Sequence, residues 1–375
     1  MFVEEADAKK LIAAAGFPVP ASEIAHTPAQ ALAAAQRLGP VMVKAQVPTG
    51  KRGKGGGIVA ADTPAQAEAA ATTLIGSRLG DFMIERVLVE AKAKIVQELY
   101  AAVTIDPSGG TPLLILSTEG GMDIEEVHAS SPESVQMIPI PLSTGLTFTN
   151  AAMAATATGL AAPIVRQLTD QLIQLYDLFR HYDAQLLEIN PLAVVGDGSL
   201  VALDCKLVID DNAVFRQTDL PPERPIGTPL ELAAKEQDFL FVELDGDVGV
   251  LANGAGLTMS TMDAVTAHGG APANFLEVGG MAYKRATPAL ALVLQNPRVK
   301  SLLVNLCGAY ARTDVIAEGL IAGWKELKPD LPVAFCIHGT GEERAQELVR
   351  TELGIEPHET MDDAVRAAIQ MAANQ

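Results

Sequence analysis

Four short apolar runs punctuate the C-terminal part of the chain: Val248–Ala252 and residues 275–278, 302–306 and 333–337. Each is followed by a glycine-containing loop and then a helical pattern. Repeated strand–loop–helix units leave few options, because parallel strands need crossover connections and the helices must cover both sheet faces. A parallel, doubly wound sheet is expected here, with ligands at the carboxyl ends of the strands.

Upstream the rhythm differs. Ala-rich helices are expected over 7–15 and Pro28–Leu38, separated by the breaker Gly16-Phe17-Pro18-Val19-Pro20. Strands are expected over 41–47, Ile58–Ala61, 82–90, Ile95–Asp106 and 113–118, with a weaker one over 135–140. A helix is expected over 64–77, and another over 164–179, where Leu168, Leu172, Leu175 and Phe179 recur at helical spacing. Residues 186–195 and 200–209 read as a hairpin around Gly196-Asp197-Gly198. Pro221, Pro222, Pro225 and, just beyond, Pro229 make 218–228 a linker. A boundary near residue 228 divides the chain into 1–228 and 229–375, in line with about two domains for 375 residues.

A hydrophobic fraction of 49% with 19% charged residues excludes disorder. Lys and Arg total 27 against 46 Asp and Glu, a net charge of -19, which excludes a broad nucleic-acid footprint but not a nucleotide held by a few lysines. Cys205, Cys307 and Cys336 are far apart and form neither a disulfide framework nor a CxxC pair, which fits a reducing compartment, the cytoplasm. Cys307 and Cys336 are expected to be small buried residues. The charged first ten residues lack an apolar core, and no uncharged apolar run approaches about 18 residues. Neither a signal peptide nor a membrane span is expected.

The loop 48–57, Pro-Thr-Gly-Lys-Arg-Gly-Lys-Gly-Gly-Gly, joins two strands, so it is not a P-loop, which opens a helix. Its five glycines and the cations Lys51, Arg52 and Lys54 suit a flap over a polyphosphate; a solvated basic hairpin would look the same. Lys44, inward between Val43 and Ala45, needs an anionic partner. In the hairpin, a three-residue turn pairs residues whose numbers sum to 394. Glu188 then faces Lys206, Asn190 faces Asp204, and all four share one sheet face. Two carboxylates and an amide are hard oxygen ligands suited to Mg2+, which would also contact substrate phosphates; a salt-bridged hairpin is the alternative. Glu90 and Glu98 would accept from a ribose or adenine, or lie on an exposed face. Ser117-Thr118-Glu119-Gly120-Gly121 is a further candidate loop. In the second part, Asn253-Gly254-Ala255-Gly256, Glu277-Val278-Gly279-Gly280 and residues 307–312 suit a carboxylate or phosphate gripped by backbone N–H groups, with Arg312 as a bidentate clamp. His338 ends a strand and reads as structural.

Taken together, these segments resemble one family, the β subunits of succinyl-CoA synthetase (succinate–CoA ligase). The resemblance rests on Val43-Lys44-Ala45-Gln46, Arg52-Gly53-Lys54-Gly55-Gly56, Leu88-Val89-Glu90-Ala91, Glu98-Leu99-Tyr100 and Ser117-Thr118-Glu119-Gly120-Gly121. It continues through Glu188-Ile189-Asn190-Pro191-Leu192, Leu203-Asp204-Cys205-Lys206, Phe215-Arg216-Gln217, Asn253-Gly254-Ala255-Gly256-Leu257 and residues 274–280. It implies an ATP-grasp domain over 1–228 and a flavodoxin-like CoA-ligase domain over 229–375. Nucleotide contacts are implied at Lys44, Arg52, Gly53, Lys54, Glu90 and Glu98, and Mg2+ ligation at Asn190 and Asp204. Glu188 matches the glutamate that attends the phosphohistidine. Asn253, Gly308, Ala309, Tyr310, Ala311 and Arg312 match the organic-acid site. The phosphorylated histidine and most CoA contacts are implied on an α subunit, in an αβ or α2β2 assembly.

The departures cluster at the acid site. The family pattern Asn-Ile-Phe-Gly-Gly-Ile-x-Arg-Cys-Asp is Asn305-Leu-Cys307-Gly308-Ala309-Tyr310-Ala311-Arg312-Thr313-Asp314 here, and Gly-Gly-Gly-Ala becomes Gly279-Gly280-Met281-Ala282. The flap pattern His-Ala-Gly-Gly-Arg-Gly-Lys becomes Pro48-Thr49-Gly50-Lys51-Arg52-Gly53-Lys54. Ordinary ATP chemistry on succinate or a related di-, hydroxy- or sulfo-acid is expected, and Pro20 points to the ADP-forming branch. A citrate-directed subunit (ATP-citrate lyase or citryl-CoA synthetase) and a non-catalytic nucleotide sensor are the alternatives.

Overall fold

A computed structural model describes residues 1–375 apart from Lys51, Asp81, 224–226 and 279–281, with backbone only for 282–284. The chain divides into two compact units, Met1–Arg224 and Pro225–Gln375.

The first unit has two lobes. In the smaller, an antiparallel sheet orders Ser22–Ala25, Val87–Ala91, Val41–Ala45 and Ile58–Ala61. Helices Pro28–Leu38 and Pro64–Leu74 begin at Thr27 and Thr63, whose hydroxyls accept the free N–H of Gln30 and Gln66 at 3.3 Å. Their alanines let the helices sit close on the sheet, where Ala31, Ala35, Ala67 and Ala71 bury Val41, Val43, Val87 and Val89. Period-two alternation turns Lys44 and Glu90 to the opposite face.

The larger lobe is an antiparallel sheet ordered Phe2–Val3, Lys206–Ile209, Ala184–Val195, Ile95–Asp106, Thr111–Ser117 and Val135–Pro139, with Leu200–Ala202 also paired to Ala184–Val195. Helix Ala162–His181 lays Leu168, Leu172, Leu175 and Phe179 on it, packed with Leu114, Leu116, Leu187 and Ile189.

Two expectations need correction. The run 82–90 is not one strand: Phe82–Met83 turns back through Gly80 (φ 58°) to pair with Arg78–Leu79, while Val87–Ala91 joins the small-lobe sheet. In the hairpin the 394 register holds at Val194↔Leu200, Leu192↔Ala202 and Glu188↔Lys206. The return strand nevertheless breaks over 203–205, opposite Pro191, which has no N–H to donate. Asn190 and Asp204 are therefore not a ladder pair. The short helices Ile124–Ser130 and Phe148–Ala157 were not foreseen.

In the second unit Val248–Ala252, Ser301–Gly308 and Val333–Gly339 are parallel neighbours in that order. Asn274–Leu276 flanks the first of them through bridges at Val248↔Pro272 and Ala252↔Glu277, and pairs antiparallel with Phe241–Glu243. Alternate residues serve opposite faces. Leu302, Val304, Leu306, Phe335 and Ile337 meet helices Ala282–Leu294, Thr313–Leu327 and Glu342–Leu353. Leu303, Ala334 and Cys336 meet Ala255–Ala267 and Met361–Ala373. This is the doubly wound arrangement. Among the described residues no helix is long and apolar enough to cross a membrane.

Candidate functional site

Lys44 has its anionic partners within the protein. Its Nζ donates to Glu5 Oε1 (2.9 Å), Glu90 Oε1 (2.7 Å) and the Leu203 carbonyl (2.5 Å). Lys9 Nζ donates to Glu90 Oε2 and to the same carbonyl, and lies 3.1 Å from Glu5 Oε1. Arg52 Nη2 contacts both oxygens of Asp204 at 2.7 Å, while its Nη1 reaches Glu5 Oε2 at 2.7 Å and the Ala45 carbonyl at 3.1 Å. Three cations thus face three carboxylates, all buried except Asp204, whose side chain is 28% exposed. Burial pushes the Glu5 carboxyl up, but Lys44, Lys9 and Arg52 outweigh it and hold the group well below the carboxylate range. Burial opposes the charge on Lys44, yet Glu5, Glu90 and Asp204 raise its pKa above that of a free lysine.

Glu5 and Lys9 escaped sequence reasoning. At i and i+4 on helix Glu5–Ala14 they look like a surface ion pair; the signal was their place on the same helix as buried Ala8 and Ile12. Glu90, expected at a ribose or adenine, here grips two lysines.

Glu188 shares a sheet face with Lys206 and accepts from the Tyr100 hydroxyl at 2.9 Å. Burial raises its pKa, while Tyr100 and Lys206 act to lower it. Asn190 Oδ1 accepts from the Gly121 N–H at 2.7 Å, and its Nδ2 donates to the Met122 carbonyl at 2.9 Å, tethering the loop after Ser117. That loop crosses the strand Ile95–Asp106 so closely that a Cβ at Gly120 would lie 2.3 Å from the Leu99 carbonyl oxygen. Glu98 lies under it, half-buried, its carbonyl accepting the Gly120 N–H.

The flap 48–57 closes on itself. The Gly57 N–H donates to the Arg52 carbonyl and that of Gly56 to the Gly53 carbonyl. Lys54 is exposed and pairs with Glu126 at 3.1 Å. Lys51 lies outside the described residues. Among the described residues no cluster of three or more His, Cys, Asp or Glu could hold a metal. The oxygens of Asn190 and Asp204 are hard donors, and Asp204 already stabilises a cation, the Arg52 guanidinium. In this structure Asn190 Oδ1 is engaged by the Gly121 N–H and both Asp204 oxygens by Arg52.

In the second unit the strand ends converge on residues 307–312. Asn253 binds both backbone groups of Cys307, Nδ2 to its carbonyl (2.7 Å) and Oδ1 from its N–H (2.9 Å). Gly308 is locked between neighbours: the Thr340 N–H donates to its carbonyl, and a Cβ on it would lie 1.9 Å from the Ala311 oxygen. Ala309 and Tyr310 are exposed and Ala311 half-buried. Arg312 clamps its own chain, Nε and Nη2 to Asp314 at 3.1 and 2.7 Å, and lowers the Asp314 pKa. Cys336 is buried as expected, but Cys307 is exposed: the strand runs two residues beyond its apolar stretch and leaves the sheet's cover. His338 Nε2 lies 2.9 Å from the Glu359 carbonyl, a structural contact. Gly279, Gly280 and Met281 lie outside the described residues.

An ATP-grasp domain model matches residues 3–194 and a CoA-ligase model matches 251–371. A succinate–CoA ligase [ADP-forming] subunit beta from Stenotrophomonas maltophilia (strain K279a) is 38% identical and aligned over all of both chains. The chain belongs to the succinate–CoA ligase β-subunit family. Members of the same description from Rubrobacter xylanophilus (39% identical, 99% of each chain) and Ignicoccus hospitalis (38%, 98% of each) span it as fully. The ATP citrate lyase structure from Methanothrix soehngenii, in complex with citrate and coenzyme A, shares the fold over 98% of this chain and 99% of that one, with TM-score 0.75 and 18% identity. As a succinate–CoA ligase family β subunit, the chain carries an ATP-grasp and a CoA-ligase domain and belongs to an ADP-forming acid–CoA ligase that acts with an α subunit.

Proposed function

We propose that the region around Lys44 and Arg52 binds ATP with Mg2+ and phosphorylates a histidine of the α subunit, which then activates an organic acid as acyl phosphate for transfer to CoA. The observation that carries this reading is the convergence of Lys44, Arg52, Glu90 and Asp204 from separate segments into one buried, charge-balanced cluster. Lys44 and Arg52 neutralise phosphate charge, with Gly53 and Lys54 continuing the flap, Glu90 holding Lys44 in place and Glu98 serving the nucleoside side. Mg2+ on Asn190 and Asp204 would supply further charge neutralisation. Glu188 attends the histidine; its half-buried carboxylate, held by Tyr100, can orient or deprotonate an imidazole.

Residues 1–228 form the nucleotide domain in this reading and 229–375 the CoA-ligase domain. Asn253 and the 308–312 loop take the acid, succinate or a related di-, hydroxy- or sulfo-acid, with CoA held mainly by the α subunit in an αβ or α2β2 assembly. Cytoplasmic location is supported by three free cysteines. Replacing Glu188 with Ala is expected to leave ATP binding intact and to abolish labelling of the α subunit by radioactive ATP. Normal labelling would overturn the role. Thioester formation across a panel of carboxylic and sulfonic acids identifies the acid.

A further inference from the structure

The buried cluster joins the two lobes of the first unit, and one carboxylate lies at its centre. Lys44, Arg52 and Glu90 come from the small lobe and its flap; Glu5, Lys9, Leu203 and Asp204 come from the large lobe. Glu5 divides its two oxygens: Oε1 serves Lys44 (2.9 Å) and Lys9 (3.1 Å), and Oε2 serves Arg52 (2.7 Å). Its own place is set by Gln46, fully buried, whose Oε1 accepts the Ala6 N–H at 2.9 Å and whose Nε2 donates to the Lys44 and Ala45 carbonyls at 3.2 Å. Helix Glu5–Ala14 is anchored to the large-lobe core through Ala8 and Ile12.

We infer that Glu5 is a positioning residue for the phosphoryl-transfer cations, fixing Lys44 and Arg52 of the small lobe at a set spacing against the large lobe; the inference rests on the nucleotide reading above. Asp204 holds Arg52 through both oxygens, so any cation that takes over Asp204 must release that guanidinium. Among the described residues Arg52 then keeps Glu5 and the Ala45 carbonyl. Glu5 therefore decides where the arginine stays once the metal ligand is occupied, and Lys9 supplies the charge that balances it.

The test uses the enzyme assembled with its α subunit and titrates ATP with Mg2+ by calorimetry. Glu5→Gln alone leaves excess buried positive charge, so its fold may fail for reasons unrelated to positioning. The double variant Glu5→Gln/Lys9→Gln removes one charge of each sign and keeps the cluster balanced. It is expected to melt near the wild-type temperature yet bind ATP about tenfold or more weakly, the effect of losing a charge-assisted anchor. A double variant that binds ATP like the wild type overturns the positioning role and leaves Glu5 as structural filler. Lys44→Gln separates the two layers: unchanged ATP affinity in that variant overturns the nucleotide reading itself, whereas a large loss supports it.

Discussion

Burial and a tyrosine hydroxyl pull the Glu188 carboxyl in opposite directions. Burial raises this carboxyl, and the Tyr100 hydrogen bond is the largest influence acting against it. In Tyr100→Phe that influence is gone, so the pKa of Glu188 moves further up. If ionised Glu188 is the working form, the acid limb of the pH–rate profile for ADP formation shifts to higher pH, with little change on the alkaline side. An unchanged acid limb would disconnect Glu188 from the rate. At this scale some of the site was readable. Lys44, a lysine amid valine and alanine on a strand, announced that it needed an anion. Which anion was not readable, because Glu5 is 39 residues away and its helix gives no sign of where it packs. Cys307 misled because its exposure depends on where the covering helices stop, not on its neighbours in the chain.

Elements impose their own constraints through close backbone approach. A Cβ on Gly308 would lie 1.9 Å from the Ala311 carbonyl, and one on Gly120 2.3 Å from the Leu99 carbonyl, distances that force backbone to move. Gly308→Ala is expected to cost roughly 1–3 kcal/mol of stability and to raise the KM for the acid while leaving ATP binding unchanged, measured by thermal melts and steady-state kinetics. Gly120→Ala is expected to show the opposite division, weakening ATP binding through displacement of the loop tethered by Asn190 and leaving the acid KM alone. The hairpin register was legible because turn length dictates pairing. Its break at 203–205 has a cause in the sequence as well, Pro191, which has no N–H to donate, but turn length alone does not register it.

For the whole molecule, acid stability follows from helix Glu5–Ala14. Glu5 and Asp7 both carry lowered pKa values: for each, burial acts upward and is outweighed, by Lys44, Lys9 and Arg52 for Glu5 and by Lys10 and Arg86 for Asp7. A carboxyl lowered in the folded state contributes stability that is present above its unfolded pKa, about 4, and is lost as pH falls through the folded value. Glu188, being raised, runs the other way and slightly offsets the loss. Melting of the first unit is therefore expected to be level from pH 7 to about 5 and to drop steeply below about pH 4. Protonating Glu5 leaves three cations facing two carboxylates, Glu90 and Asp204, and the uncompensated buried charge costs roughly 3–5 kcal/mol. A melting temperature that stays level down to pH 3 would contradict this account of the cluster. The chain's own periodicities determined the fold class: apolar runs at strand length, helical spacing between them and glycines at the crossings depend on neighbours a few residues apart. Its segments also carried enough pattern to place it in a family. Only tertiary structure decided that Glu5 and Lys9 join the site, that Arg52 rests on the ligand expected for Mg2+, and that Arg312 is held by Asp314. Ion pairs form wherever packing brings charges together, and separation along the chain carries no record of that meeting.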